Sequence, residues 1–225
     1  MKATQGRIIR HELLDEQPPG VAAQSLRDLI RINKFLGGHE TLRKALNRLL
    51  APDERFTMLD VGAASGDMGE VVRRQYSGAG VTSLDYKPHH LKAAAPPRVV
   101  ADAFQLPFAA ESFDIVHCSL FLHHFEDSAI VELLRCFGRV ARRHVIVCDL
   151  ERHPLAYYFL PATRWLFRWH PITLHDGPIS VAAAFKASEL RDLAAAAGLR
   201  DIHVTVHRPA FRLCLTASPP MRGVL

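Results

Sequence analysis

The stretch Met58–Glu70, MLDVGAASGDMGE, runs from an apolar segment through a bare turn with two glycines into a helix-ready acidic sequence. A strand that enters a small-residue turn and leaves as a helix opens an α/β sheet. Its turn is where a ligand can approach backbone amides and a helix N-terminus. The small side chains are a clearance requirement. A nicotinamide dinucleotide would call for G-x-G-x-x-G at this place. Here Gly62 and Gly66 flank Ala63, Ala64 and Ser65, and Asp60 stands in the strand just before the turn. A carboxylate repels a pyrophosphate and attracts an ammonium group, so the ligand should carry positive charge near the loop.

Working outward, RFTMLDVG reads as a buried strand, GDMGEVVRRQY as a helix and VTSLD as a strand. PHHLKAAA follows as a short helix, RVVAD and SFDIVHCSL as strands, SAIVELLRCFGRVA as a helix and RHVIVCDL as a strand. Short apolar strands alternating with helices mean a parallel sheet covered on both faces, a doubly wound α/β domain. Near the end, ASELRDLAAAAGLRD is a helix closed by Gly198, followed by the strands IHVTVH and FRLCLTA. The link between them is too short for a helical crossover, so the sheet should finish with an antiparallel strand. Upstream, apolar residues in 22–50 recur at helical steps with a break at Gly37-Gly38, giving N-terminal helices. The expected organisation is one domain over 1–225, with a helical cap over 1–50 and a lid-like insertion over 151–180.

Asp85 ends the second strand, where an acidic side chain can accept hydrogen bonds from ribose hydroxyls. Asp102-Ala103, at the end of the third, is a polar-small pair suited to an adenine edge. LPF then leads to SFDIV in the fourth strand. As an ordered set these residues resemble the class I S-adenosylmethionine-dependent methyltransferases, and more closely their small-molecule branch. The resemblance covers roughly residues 56–150 well and 185–217 in outline.

The resemblance implies a seven-stranded Rossmann-like fold and S-adenosyl-L-methionine as cofactor. It implies that Asp60 and the backbone of Gly62, Ala63, Ala64 and Gly66 surround the methionine part. Asp85 would hold the ribose, Tyr86 would lie beside the adenine, and Asp102 with Ala103 would meet the adenine edge. Cys118 and Ser119 would face the sulfonium. Ala64 departs from the pattern, since the family often has glycine there. The three aspartates also suit helix caps or turns taken singly. Their fall at successive strand ends beside the small-residue loop favours the cofactor cradle.

A bound sulfonium is an activated methyl donor, so catalysis is mostly alignment of the acceptor. A phenol or enol gains from a base, and His is the commonest one. His123 and His124, just after the fourth strand, suit a base, a substrate contact or a packing cap. The insertion holds both tryptophans and is the most aromatic stretch. Its Tyr157, Tyr158, Trp165, Trp169 and His175 are the expected contacts for a flat, apolar small-molecule acceptor of phenolic, polyketide or quinone-like character. The same aromatics suit packing onto the sheet. The segment 155–169 equally suits a membrane surface, with Arg164 and Arg168 toward headgroups.

Exclusions narrow the field. The fourth strand ends in HCSL, without the Asn/Asp-Pro-Pro-Tyr/Phe signature of amino-methylating enzymes of nucleic acids and protein glutamine. The spacing of His and carboxylates along the chain suggests no metal site. The net charge of +5 comes from basic residues interleaved with apolar ones at helical spacing, a solvated face rather than a nucleic-acid footprint. Four cysteines far apart read as reduced thiols, the N-terminus has no apolar signal core, and no run approaches a membrane span. All three point to the cytoplasm. Two alternatives stand beside small-molecule methyl transfer: a non-catalytic binding or scaffold protein on the cofactor fold, and a methyltransferase acting on a lipid or macromolecule.

Overall fold

The computed structural model describes residues 6–16 and 19–221. Ahead of the sheet lie a 3-10 turn (Leu13–Glu16) and two helices, α1 (Pro19–Phe35) and α2 (Gly38–Leu49), separated at the expected glycine pair. The alternating region gives β1 (Phe56–Val61), α3 (Asp67–Gln75), β2 (Ala79–Asp85), β3 (Arg98–Val100), β4 (Phe113–Ser119), α4 (Asp127–Val140) and β5 (Ala141–Leu150). The insertion folds as α5 (Pro154–Ala162), α6 (Arg164–Phe167) and α7 (Pro171–Ala183). After it come α8 (Ala187–Ala196), β6 (Arg200–His207) and β7 (Arg212–Ser218). The short helix expected from PHHLKAAA is a single 3-10 turn, His90–Lys92.

The strands form one sheet in the order β3-β2-β1-β4-β5-β7-β6. β1 to β5 pair in parallel, and β7 runs antiparallel to both of its neighbours. The antiparallel strand therefore sits inside the sheet: β6 lands two strand spacings from β5, and the short β6–β7 connection lets β7 fill the gap. The order reverses between β1 and β4, so the crevice above their carboxyl ends is the place where an open α/β sheet binds a ligand.

Strand alternation distributes the core. Leu59, Val61, Val116 and Cys118 face α4 and α8 with Ile130, Leu134, Phe137 and Leu190. Met58, Ile115, Ile146 and Cys148 face α2 and α3 with Leu42, Leu46 and Val72. Both faces of the central strands are buried, which is why they read as continuous apolar runs. The thiols are free, and Cys148 and Cys214 lie with Sγ atoms 4.0 Å apart, about twice a disulfide bond length.

The N-terminal segment and the insertion are tied together above the sheet. Asp28 accepts from the His170 amide at 2.7 Å, and Arg31 donates to the Phe167 carbonyl at 3.0 Å. Asp176 of α7 accepts from the amides of Leu13 and Leu14 at 2.9 Å each. Arg7 donates to the carbonyls of Ala183 and Phe125 at 2.8 Å, pairs with Asp127 and covers the Phe185 ring at 4.3 Å. One buried guanidinium thereby fixes the chain entering the cap against the far end of the insertion.

Candidate active site

The turn after β1 has the backbone its composition demands. Gly62 and Gly66 adopt φ of 66° and 74°, and a Cβ at either would lie 2.6 Å from a neighbour, the Phe121 ring or the Ala94 methyl. Ala64 is left-handed as well, at φ 46°. An L-residue in that region is strained by ~1–2 kcal/mol, whereas glycine adopts the same backbone conformation without cost. Asp85 offsets the strain, because its Oδ2 accepts the Ala64 amide at 3.0 Å. Its Oδ1 accepts from the Lys87 amide at 2.9 Å and lies 3.4 Å from His90 Nδ1. Burial pushes the Asp85 pKa up, and these partners more than reverse it, so the net shift is downward and the group is ionised. Asp102 caps the turn Ala103–Gln105 by accepting the Phe104 amide at 2.9 Å. Capping and ligand contact coexist here, since a carboxylate has about four acceptor sites.

Gly62, Ala64, Asp85, Tyr86, Asp102 and Ala103 all line one cavity of about 800 Å³. These residues fit S-adenosylmethionine: a clearance that a side chain would fill, with ionised or polar oxygens at the ends of β2 and β3. The other expected contacts sit elsewhere. Asp60 shares the β1 face of Met58, is buried, and holds His117 Nδ1 at 2.7 Å, so it lies beneath the loop and outside the lining. Its Oδ2 is buried with no partner among the described residues. Ala63 is turned into a small cluster with Leu91 and Ala94, and Gly66 caps α3. Cys118 packs in the core, which pushes its thiol pKa up, and Ser119 Oγ is buried. Leu120 and Phe121, one step further along, supply the β4 end of the lining.

His123, His124 and Glu12 line the same cavity. His123 Nδ1 lies 2.7 Å from Asp149 Oδ1 and its Nε2 lies 3.6 Å from Glu12 Oε1, while His124 Nδ1 is 3.9 Å from that same oxygen. The two rings stack with centroids 4.4 Å apart. Burial pulls the His123 pKa down, but Asp149 and then Glu12 override it and push it up to about 10. The two carboxylates favour the protonated ring, which favours a contact or packing role for His123 over that of a base. Burial pushes the Glu12 pKa up, and His123, His124 and Ser180 bring it down to about 2. Below this cluster Arg212 is buried. Burial lowers its pKa to about 10 against the pull of Asp149, and its Nε donates to the Leu36 carbonyl at 3.0 Å.

The insertion reaches the cavity with a different face from the expected one. Ala156, Phe159 and Leu160 of α5, and Ile172, Thr173, Asp176, Gly177, Ser180 and Val181 of α7, form its lining. Tyr158 and Trp165 are exposed, and Tyr157 sits edge-on to Tyr158 outside the lining. Trp169 is buried between Phe167 and Arg31, with its Nε1 donating to Thr163 at 3.2 Å. His175 is half-exposed and pairs with its neighbour Asp176. Aromatic content singled out the segment, and helical period decides which of its side chains turn toward the cavity. Glu12, Asp149 and Asp176 were not singled out from the sequence. Asp149 has the signal that Asp85 has, an acid at a parallel strand end, whereas Glu12 has none that is local.

The expectation of no metal ligands rested on spacing along the chain. The fold brings Glu12, His123 and His124 together, with ligand atoms within 4.8 Å of one another.

A sequence model of the methyltransferase domain matches residues 59–149. The demethylmenaquinone methyltransferase of Thermobifida fusca is 31% identical over 165 residues, which span 66% of this chain and 68% of that one. The demethylmenaquinone methyltransferase of Mycolicibacterium paratuberculosis is 30% identical over 168 residues, spanning 70% and 71%. Among solved structures, human N-acetylserotonin methyltransferase in complex with S-adenosylmethionine shares the fold, with a TM-score of 0.65 at 16% identity over 91% of this chain and 57% of that one. The chain belongs to the class I S-adenosylmethionine-dependent methyltransferases, and S-adenosylmethionine is its cofactor.

Proposed function

We propose that this methyltransferase acts on an oxygen or carbon of a flat, apolar small molecule of the phenolic, polyketide or quinone-like class. The observation that carries the reading is the lining of the cavity beyond the cofactor loops. Leu26, Leu29, Phe159, Leu160, Ile172 and Val181 make it apolar, and Glu12, His123 and His124 form a polar cluster in it. Such a site takes a greasy ring and orients it by one polar edge. Similarity to two demethylmenaquinone methyltransferases supports the quinone-like end of the class.

In this reading the acceptor gives up its proton to solvent, the sulfonium–methyl bond breaks as the acceptor's oxygen–methyl or carbon–methyl bond forms, S-adenosylhomocysteine leaves, and the chain's task is alignment. Asp85, Asp102 and the Gly62–Gly66 backbone hold the donor. The apolar wall holds the ring, and Glu12 with the histidine pair faces its polar edge. Incubation with labelled S-adenosylmethionine and a panel of long-chain alkylphenols, prenylated naphthoquinols and flat polyketides tests this. Transfer of label to at least one class is expected. Binding of S-adenosylhomocysteine with no transfer to any of them would sink the acceptor assignment.

A second reading concerns how such an acceptor arrives. The outer face of the insertion leaves Leu155, Tyr158, Trp165 and Leu166 at 66%, 55%, 77% and 60% exposure, beside exposed Arg164 and Arg168. Among the described residues no helix is long and apolar enough to cross a membrane. An apolar face edged with arginines suits the surface of an anionic bilayer, from which a lipid-tailed acceptor would enter under α5.

A further inference from the structure

Glu12 comes from the cap and the histidine pair from the turn after β4. The fold sets one oxygen and two nitrogens around a common point that borders the cavity. We propose that Glu12, His123 and His124 bind one divalent transition-metal ion. A carboxylate and two imidazoles are the donor set suited to Mn(II), Fe(II), Co(II), Ni(II) or Zn(II), and three protein ligands leave coordination positions open to solvent or substrate.

The ligand atoms are Glu12 Oε1, His123 Nε2 and His124 Nδ1, with the nitrogens 3.6 and 3.9 Å from the oxygen. Donors at about 2.0–2.2 Å from one ion lie roughly 3–3.5 Å from each other, so the two nitrogen–oxygen separations close by a few tenths of an ångström, and the His124 ring, stacked at 28° on His123, turns so that its lone pair also meets the ion. The support behind the ligands is already built. His123 Nδ1 faces Asp149 Oδ1 at 2.7 Å, which assigns the proton of a neutral ring to Nδ1 and turns the Nε2 lone pair toward Glu12. A carboxylate behind a ligating histidine is the usual outer partner at metal sites. Ser180 Oγ donates to Glu12 Oε1 at 2.5 Å and fixes the carboxylate. Glu12 and Asp149, both buried, also favour a cation at the nitrogen between them.

An ion here becomes the positive centre of the cluster, next to the acceptor's place in the cavity. It would bind the acceptor's hydroxyl oxygen and favour its ionisation, as bound metals do for water. That consequence rests on the proposed acceptor class, whereas metal binding does not.

The test uses tag-free full-length protein stripped with a chelator, titrated with Mn(II) by electron paramagnetic resonance and with Zn(II) by calorimetry, without acceptor. The expected result is one ion per chain. Glu12→Gln and His124→Ala should each weaken binding at least tenfold, and Asp149→Asn by about 10–100-fold, the cost of losing an outer partner. Retained S-adenosylhomocysteine affinity identifies the variants that are folded. Failure of folded wild-type protein to bind either ion stoichiometrically, or binding that Glu12→Gln and His124→Ala leave intact, overturns the proposal and leaves the cluster as an ion-pair network. A failed acceptor panel leaves the metal titration unaffected, so the two proposals fail separately.

Discussion

The two halves of the cavity are built in opposite ways. The half proposed for the cofactor takes Gly62, Ala64, Asp85, Tyr86, Asp102 and Ala103 from three consecutive strand ends, within one continuous run of βα units. The half proposed for the acceptor takes Glu12 from the cap, His123 from the turn after β4, and Leu160 and Asp176 from the insertion, with Asp149 supporting His123 from the end of β5. Local backbone geometry makes the first half, since each loop's glycines and capping acids are specified by their own neighbours. Long-range packing makes the second, and it exists only when cap and insertion are docked. Damage to one half should therefore leave the other measurable.

The largest expected effect lies where the halves meet. Asp149→Ala removes the buried carboxylate behind His123 and should cost about 3–5 kcal/mol of folding stability, the range for breaking one side of a buried ion pair. Chemical denaturation would show it as a shifted midpoint at unchanged slope. An effect under about 1 kcal/mol would mean that the pair is solvated and that the acceptor half is looser than described.

Arg7→Ala should be next, at roughly 1–3 kcal/mol, because the guanidinium satisfies carbonyls at Ala183 and Phe125 and ties the cap to the insertion. The discriminating readout is kinetic. The acceptor KM should rise while S-adenosylhomocysteine affinity stays the same, and a loss of cofactor affinity would show that the two halves are not separable. Leu160→Trp fills the apolar wall without touching the cofactor loops, and should raise the acceptor KM about tenfold or more. If turnover of every acceptor is unchanged, α5 is not a wall of the acceptor site.

The smallest effect on the cavity itself is expected from the outer face. Trp165→Ser with Leu166→Ser should weaken flotation with anionic vesicles, by about 1–3 kcal/mol for each apolar side chain withdrawn from the interface. Turnover of a short-chain, water-soluble acceptor should be unaltered. Equal flotation of variant and wild type would leave this face without a membrane role.

The same division explains what the sequence made legible. Strand alternation and glycine-rich turns identified the sheet, its helices and the antiparallel β7, because period and turn chemistry are local properties. Asp85 and Asp102 were visible as acids at strand ends. Asp60 shares that signal, and the pleat turns it toward His117. In the insertion, aromatic content was visible but helical phase was not. Phe159 faces the cavity, while Tyr158, one position earlier, faces solvent. The Glu12–His123 approach joins segments separated by most of the parallel sheet, and neither residue carries a local mark of it.

Titration of wild-type protein and Asp85→Ala with S-adenosylhomocysteine tests the central division most directly. Asp85 holds the Ala64 amide and lines the half of the cavity proposed for the cofactor. The substitution should weaken binding by about 1.5–3 kcal/mol, roughly 10–150-fold, the worth of a hydrogen bond to a charged group. Unchanged affinity in a folded variant would contradict the account, because the cofactor would then be held somewhere other than the loops after β1 and β2.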